Sequence, residues 1–552
     1  MKNIDILKRY EAQKQARAGV EAMWKFMERF VMPYRADLYG RPTEEGSVDW
    51  RKRDIYDSTA PEAAEALAAN LQGNLLSPSV KWFDLAFQDD EHNHLDEPKE
   101  WLEECSTVIF NALQQSDFNL DAAESILDMV GFGTMCLVEE VDDETAELDF
   151  TAVPISECYF EVGSKSQVLR FYRRLDWTAL QIVDKFGEDN LPAIVKSAYV
   201  NPTMAHQKFE VIFCVFDRKT TPKLNTSKPM ATRAMPFGFK YVLVQGQTEL
   251  GEEGGYPEMP VFICRWRTTA GSIWGNPPGF KLLPTIMDIN EAVEQILEAA
   301  GLDLEPPLMT TVKGIISQLD RSRGGISVVS AVDQVAELPG RGKADLSLLE
   351  INELRQQVRR GYYEDQLQLK ESPAMTATEV NVRYELMQKL LGPTMGRLKV
   401  DFLDPLVYRT FMILFRAGKM PPPPQIVKER EAEYQVEYVG PLARAQKNET
   451  ARNTSGWLGQ IGAVAETYPE ALDIPEWDKA LRSIGQNSGV PMEMMASEND
   501  IKIKRAKRQA KIDGMEKIQK LQAVGDAGQS VGAAATALPP EAISALQGAV
   551  NG

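Results

Sequence analysis

Histidine and cysteine are both scarce in this chain of 552 residues. It has three histidines, and its five cysteines stand far apart at positions 105, 136, 158, 214 and 264, in apolar runs such as Val211-Ile212-Phe213-Cys214. An odd number of isolated cysteines is a poor basis for a disulfide framework or a Cys-rich zinc site. We therefore expect buried free thiols, with no metal and no other cofactor.

Long apolar runs are missing as well. No stretch approaches the roughly 18 to 20 consecutive apolar residues that a membrane-spanning helix needs. The first residues, Met1-Lys2-Asn3-Ile4-Asp5, lack the apolar centre of a secretory signal and lead directly into an amphipathic helix. We expect a protein that is made inside the cell and has no membrane partner.

The usual motifs of catalysis are absent too. The string nearest to a nucleotide-binding loop, Gly340-Arg341-Gly342-Lys343-Ala344, lacks the first glycine at the right spacing and the hydroxyl that would meet magnesium. No nucleophile elbow of the form GxSxG accompanies His206. One enzymatic alternative remains, a DNA-processing hydrolase that binds a metal ion through His92 and His94 in the acidic loop Asp89–Asp96. A solvated loop explains the same residues.

Positive charge is in deficit. The chain has 61 Lys and Arg against 80 Asp and Glu, which gives a formal net charge of −19. Proteins that grip nucleic acid by its phosphates are basic, because their affinity comes from Lys and Arg that displace counterions. Any contact of this chain with DNA should therefore be non-adhesive or confined to local basic patches.

What is present predicts a fold of the α+β class that is mainly helical. Helical spacing of apolar residues predicts a first helix over about Asp5–Met32, and Thr59-Ala60-Pro61-Glu62 has the form of a capping box with Thr59 as its cap. Between about 133 and 267, short runs rich in β-branched and aromatic residues predict strands. The remaining predicted helices are about Pro98–Gln115, Thr178–Phe186, Thr285–Ala300, Asp345–Leu369, Thr376–Leu391, Gly396–Arg416 and much of 447–500.

A series of short motifs runs through the first 450 residues in a fixed order. They are Asp57–Ala60, Leu71–Pro78, Trp82-Phe83, Trp274–Gly279, Leu283-Pro284, Glu305–Leu308, Met375–Val380 with Arg383, Gly392-Pro393 with Arg397-Leu398, and Tyr438–Gln446. In this order they resemble the head-to-tail connecting (portal) proteins of short-tailed bacteriophages, the podoviruses. Each motif alone is weak, and their order makes the resemblance specific.

The resemblance implies a dodecameric ring at one vertex of the capsid, with a wing, a helical stem, a clip, a tunnel loop and a crown. Projected onto this chain, it predicts an α/β wing at 1–275, stem helices at 276–300 and 346–369, and a clip at 301–345. Residues 370–445 become the tunnel loop and further wing helices, 446–500 the helical crown, and 501–552 a basic helix with an Ala/Gly-rich tail that forms a barrel or stays disordered.

The partners implied by the resemblance are other copies of the chain and double-stranded DNA passing through the channel. They also include the large terminase subunit, the tail adaptor and nozzle proteins, and the major capsid and scaffolding proteins. Such a protein is a virion component made in the host cytoplasm, and it is not an enzyme. A different scaffold, such as a tail or capsid protein, is a further alternative, which the two long helices around a loop disfavour.

The first predicted stem helix carries a stripe of acidic residues. Asp288, Glu291, Glu294 and Glu298 fall within about a third of the helix circumference at 100° per residue, opposite Ile286, Ile289, Val293, Ile296 and Leu297. Repeated around a ring, such a stripe would repel phosphate and let DNA slide without sticking. An acidic face on an ordinary surface helix is the alternative. A helix of about 16 residues spans ~24 Å.

Basic residues are concentrated elsewhere. The candidates for transient DNA contact are Arg321, Arg323, Arg341 and Lys343 in the predicted clip, Lys370 in the predicted tunnel loop, and Lys504, Arg505 and Arg508 in the basic stretch after 500. For the loop residues, solvated charges are the alternative. For the stretch after 500, the alternative is a basic face that packs on the acidic remainder of the protein.

Overall fold

The computed structural model describes most of the chain. The described residues are 2–33, 35, 38, 55–78, 81–87, 96–142, 145, 147–164, 167–188, 191–201, 203–204, 206–218, 235–304, 308–310, 335–337, 344–364, 391–425, 434–438, 441–488, 490, 494–496 and 501–513. Within them, helices and antiparallel sheets are mixed and helices predominate. The chain forms two compact units, Met1–Ala445 and Gln446–Gly552.

The first unit contains ten of the described helices and all of the described strands. Its helices are α1 (Asn3–Phe30), α2 (Thr59–Leu75), α3 (Asp96–Gln115), α4 (Phe118–Phe132), α5 (Ala179–Phe186), α6 (Ala193–Val200), α7 (Gly279–Leu304), α8 (Ala344–Gly361), α9 (391–398) and α10 (Asp404–Arg416), with a π-helical turn at Lys399–Leu403 between the last two. Its strands are β1 (Phe83–Phe87), β2 (Thr134–Val141), β3 (Leu148–Ala152), β4 (Cys158–Val162), β5 (Val168–Thr178), β6 (Lys208–Asp217), β7 (Phe237–Leu243), β8 (Thr248–Tyr256), β9 (Val261–Arg265), β10 (Leu308–Thr310), β11 (Val335–Glu337) and β12 (Tyr434–Tyr438).

The strands form four antiparallel sheets, with the orders β4-β5-β6-β7-β8, β3-β2-β9, β1-β12 and β10-β11. The five-stranded sheet is apolar on both faces because side chains alternate along a strand. On β6, Val211 and Phe213 point into the main core, whereas Ile212 and Cys214 belong to a second, smaller cluster. That second cluster is covered by Ile6 and other residues near the start of α1.

A buried arginine fixes α1 against the loop that precedes β4. The guanidinium of Arg17 donates hydrogen bonds to the carbonyl oxygens of Ile155 at 3.0 Å and Cys158 at 3.1 Å. It also lies 3.9 Å from the ring centroid of Tyr159. Burying a cation is costly unless its donors are used, and these contacts use them. The indole of Trp24, about two turns further along α1, donates to the carbonyl oxygen of Phe132 at 2.9 Å.

Most of the helices and strands predicted from the sequence are confirmed, and three details are wrong. Thr59 is not a cap: it is the first helical residue, and its N–H donates to the carboxylate of Asp57 at 3.0 Å, so the capping box is absent. The helix predicted over Asp345–Leu369 is interrupted after Gly361, where Tyr363 adopts a positive φ of 61°, and residues 365–369 lie outside the described residues. The helix predicted to begin at Gly396 is already helical at position 391 and contains a π-helical turn.

The second unit is helical in the part that the structure describes. It contains most of α11 (Pro441–Ala465), a 3₁₀ turn at Pro469–Asp473, α12 (Trp477–Asn487) and α13 (501–513). The boundary between the two units falls within α11, at residues 445 and 446. The helical character predicted for 447–500 is thus confirmed for the described residues, and the role of this segment as a crown stays a prediction.

Candidate functional site: an anchored helical hairpin

Helices α7 and α8 form an antiparallel hairpin whose two ends meet in the first unit. The start of α7 lies beside the end of α8, since a Cβ built on Gly279 would come within 2.5 Å of the Tyr362 hydroxyl, and one on Gly361 within 2.5 Å of Leu282 Cδ1. The short strands β10 and β11 pair with each other between the two helices. Both glycines therefore permit a close approach that larger residues would prevent.

Polar contacts fix the base of the hairpin to the segment before α2. The Arg355 guanidinium of α8 lies 2.7 Å from the carboxylate of Asp57, whose side chain is 7% exposed. Asn290 of α7 accepts a hydrogen bond from the Tyr56 N–H at 2.8 Å. Ile286, Ile289, Val358 and other apolar side chains pack at the same junction, between α1, α2 and the hairpin. Both hairpin helices are thus attached at the base to one point of the first unit.

The chain enters the hairpin through a tight crossing of two backbone segments. A Cβ on Gly275 would overlap the carbonyl oxygen of Gly133, and Gly133 itself has a φ of 83°. The Gly133 carbonyl accepts a hydrogen bond from the Trp266 N–H at 2.8 Å, and the Gly275 N–H donates to the hydroxyl of Thr134 at 3.0 Å. The motif Trp274–Gly279 is therefore needed for architecture, since its glycine permits a contact that no Cβ could enter.

Beyond its anchored base, α7 becomes increasingly exposed. Ile286 and Ile289 are buried, whereas residues 291–301 of α7 are half-buried or exposed, and Leu297 is 55% exposed. This outer part, 291–304, spans ~21 Å at 1.5 Å per residue.

The predicted acidic stripe lies on one side of α7. Asp288, Glu291 and Glu298 are exposed, and Glu294 is half-buried. Glu291 accepts a hydrogen bond from Gln295 at 3.3 Å. The carboxylates thus face away from the buried isoleucines, as the helical spacing predicted.

The predicted basic positions divide into two groups. Arg321, Arg323, Arg341, Lys343 and Lys370 lie outside the described residues, as does the His92/His94 loop. On α13, Lys504 and Arg508 are exposed, but the guanidinium of Arg505 binds both carboxylate oxygens of Asp478 on α12, at 2.7 and 2.5 Å. For Arg505, this contact favours the alternative of a basic face that packs on acidic residues.

A buried ionic network joins α10 to the three-stranded sheet. Nε of Arg409 lies 3.3 Å from Oε2 of Glu139, and both side chains are 2% exposed or less. The same guanidinium donates to the carbonyl oxygens of Glu258 at 2.8 Å and Glu139 at 3.2 Å, and Thr410 donates its hydroxyl to Oε1 of Glu139 at 2.9 Å. Burial raises the pKa of Glu139 to about 7, although the Arg409 charge opposes that shift.

One groove on the described surface carries arginines that are paired with carboxylates. It has a volume of about 650 Å³ and is lined by residues of α1, β5 and β6, including Arg9, Arg170 and Arg218. Arg9 and Arg170 both bind Glu161, at 3.2 and 2.6 Å, and Arg218 binds Glu253 at 2.5 Å. Carboxylates thus neutralise its arginines, and we do not assign the functional site to this groove.

The five cysteines are all buried and unbridged, as the sequence predicted. Burial raises the pKa of the Cys105 thiol to about 12, which makes it unreactive at neutral pH. Among the described residues, no group of three or more His, Cys, Asp and Glu side chains is placed to hold a metal ion. Over the same part of the chain, no helix is both long and apolar enough to cross a lipid bilayer.

The sequence is similar to known proteins over nearly its whole length. The sequence matches the profile of the bacteriophage head to tail connecting protein family over residues 4–495, so the chain belongs to that family of structural proteins and is not an enzyme. It is 26% identical to a probable portal protein of Bordetella phage BPP-1 over 514 residues, covering 91% of this chain and 90% of the relative. It is also 26% identical to the portal protein of Salmonella phage epsilon15 over 561 residues, covering 99% of this chain and 98% of that relative.

Some structural residues of this site could be recognised in the sequence, and others could not. Asp57 and Gly275 both stand in motifs of the family resemblance, although their contacts with Arg355 and Gly133 were not predicted. Glu139 was missed, because its partner Arg409 is 270 residues away. A carboxylate that directly follows the apolar run Met135–Val138 was the available signal, since such a charge is expensive to bury without a partner.

Proposed function

We propose that the chain assembles into a ring, a homododecamer, at one capsid vertex, and that double-stranded DNA passes through its channel during packaging and ejection. The ring would dock the large terminase subunit and later the tail adaptor and nozzle proteins, and it would contact the major capsid and scaffolding proteins. Membership of the connecting protein family supports this proposal. The names of the two relatives, both portal proteins, support it as well.

The observation that carries the proposal is the exposed acidic face on the projecting part of α7. In a ring, Asp288, Glu291, Glu294 and Glu298 would face the channel, and the half-exposed Val293, Ile296 and Leu297 would contact neighbouring copies. Exposed carboxylates repel phosphates over about 8 Å at physiological ionic strength. Such a wall would let DNA slide, because no bond to the backbone has to break at each step. The basic candidates at Lys504 and Arg508 and in the segments not described stay predictions.

The hairpin that carries this face would serve as the stem, because its base is held by Arg355, Asp57 and Asn290. A wall that directs DNA has to keep its position while the duplex moves past it. The strand pair β10-β11 at the far end of the hairpin would belong to the clip, where the terminase and the tail proteins would dock.

The charge of the acidic face provides the test. Glu291→Lys with Glu294→Lys changes the charge by +4 in each copy, and both residues lie beyond the anchored base, so rings should form normally. We expect the DNA content per particle to fall, and to fall further at low salt, where electrostatic attraction is stronger. DNA content would be measured by nuclease protection in purified particles.

The matched control is Asp184→Lys with Glu252→Lys, which makes the same change of charge at exposed positions beside the five-stranded sheet. It should package DNA normally. Normal DNA content in the Glu291/Glu294 variant would refute the assignment of α7 to the channel wall. Images of negatively stained particles would establish separately whether rings with a central hole form.

A further inference from the structure

In the part that the structure describes, the second unit buries few of its apolar residues. The buried hydrophobic side chains that the structure describes after residue 446 are Ala451, Leu458 and Ile461, all on α11. Large apolar side chains are left exposed in the same segment. They are Trp457 (44%), Val464 (52%), Tyr468 (69%), Leu472 (45%), Ile474 (70%) and Leu481 (57%). Exposed apolar side chains grouped in this way are typical of a surface that a partner covers.

The buried and exposed apolar residues of α11 belong to one continuous face. At 100° per residue, Trp457 and Val464 lie about 20° apart and next to Ile461, while Leu458 and Ala451 continue the face on the other side. The whole face is about 140° wide. The chain itself therefore covers one edge of this face and leaves the edge with Trp457 and Val464 open.

Charge around the open edge argues against nucleic acid as the occupant. Four carboxylates that follow α11, Glu466, Glu470, Asp473 and Glu476, are exposed beside Tyr468, Leu472 and Ile474. Phosphates would be repelled there. By contrast, α13 has six basic residues and one acidic residue between 501 and 513, which gives it a net charge of +5. Every residue of this helix except Ile501 is exposed.

These acidic and basic surfaces are complementary within one and the same unit. The bond of Arg505 to Asp478 shows that α13 and α12 pair in a single copy. A second copy would bring both an apolar face and opposite charges to the open edge. This combination of apolar area and charge fits another copy of the chain better than DNA or an unrelated acidic protein.

We propose that the apolar face of α11, with Trp457, Val464 and Tyr468 at its open edge, is an interface between neighbouring copies of this chain. The proposal rests on the ring assembly proposed above and adds to it the residues that join the second units. In a ring, each copy presents the same face at the same radius, so that a heterologous contact repeats until the ring closes. The second unit is then completed by its neighbours.

The test uses the full-length chain and the pair of substitutions Trp457→Asp and Val464→Asp. Both side chains are exposed in the single chain, so folding should be preserved, and Val464→Asp alone serves as a milder variant. The measurements are particle mass by analytical ultracentrifugation and hydrogen–deuterium exchange of residues 451–465. We expect the assembled wild type to exchange at least about tenfold more slowly than single chains, and the double variant to lose that slowing.

The matched control, Ser455→Asp with Ala463→Asp, places the same two carboxylates on the exposed opposite side of α11 and should keep the slowing. If rings form but residues 451–465 exchange as fast as in single chains, α11 is not an interface between copies, and the proposed function is unaffected. Single chains under all conditions would contradict both. Slowing that appears only after double-stranded DNA is added would assign the face to nucleic acid and overturn the interface.

Discussion

Glu139 should make the attachment of α10 to the sheet depend on pH. Its carboxyl is fully buried, and its pKa is raised from 4.5 to about 7, chiefly by burial. The folded protein therefore binds this proton more tightly than the unfolded chain does. The stabilisation is fully present below pH 4.5 and is lost as the pH rises through 7.

The size of the effect follows from the two pKa values. One pKa unit corresponds to about 1.4 kcal/mol, so integration between pH 5 and pH 8 gives a loss of about 2 to 3 kcal/mol. Glu139→Gln keeps the shape of the side chain and removes its titration. Its amide could point its NH₂ group at Arg409, but that cost is the same at every pH. The change of stability with pH is therefore the informative quantity.

The assay is the free energy of opening of β2 and α10, measured by hydrogen exchange at pH 5 to 8 and corrected for intrinsic exchange rates. Local measurement is needed because a chain with two compact units need not unfold in one step. We expect wild type to lose about 2 to 3 kcal/mol relative to Glu139→Gln across this range. Glu147→Gln, at an exposed position, should follow wild type. Parallel pH profiles for wild type and Glu139→Gln would refute the reasoning.

Two further predictions concern the first unit. Arg35 binds Asp128 at 2.7 Å, and Asp128 is fully buried with a pKa of about 6, so Arg35→Met should destabilise the protein by about 3 kcal/mol at pH 8 and less at pH 5, measured by thermal unfolding. Equal losses at both pH values would contradict this. Gly275→Ala should prevent folding, with a cost above about 4 kcal/mol, because its Cβ would overlap the Gly133 carbonyl. In the control Gly301→Ala, the added Cβ has no atom within 4 Å, and the substitution should stabilise α7 by up to about 1 kcal/mol. Comparable soluble yields of the two variants would contradict the close contact inferred between Gly275 and Gly133.

Elements with local signals were predicted well from the sequence. Helix α5 ends at Gly187, which adopts the positive φ of 74° that glycine permits, and Thr178 and Gln181 form a capping box at its start. The apolar spacing in α1 and α7 also predicted both helices, although α7 begins at Gly279, six residues before the predicted start. In each case the information lies within a few residues along the chain, where periodicity and capping act.

Elements that depend on distant partners were missed. Helix α4 is mostly buried, so it lacks the polar face that makes a helix visible in a sequence. Strand β8 has the glycine-rich, acidic sequence Thr248–Tyr256, which is atypical of strands. It forms because Glu249 and Glu253 both bind Lys240 on β7, at 3.2 and 3.0 Å, and because Gly254 makes room for the ring of Phe239.

The candidate site shows the same difference between local signals and distant contacts. The acidic side of α7 could be derived from helical spacing alone, whereas its anchor could not, because the contact of Arg355 with Asp57 joins residues that are 298 positions apart.

The two kinds of residue also differ in what they contribute. The carboxylates of α7 are exposed, so each contributes little to the stability of a single chain. The buried or close-packed groups at the base of the hairpin, such as Asp57 and Gly279, stabilise the fold. They do not stabilise the outer part of α7. A projecting, charged helix on a rigid base is costly for an isolated protein to maintain, because its apolar side stays partly in water. That cost is offset if neighbouring copies cover Leu297 and the open edge of α11, so the exposed surfaces of the single chain are most simply explained as the interfaces of an assembly.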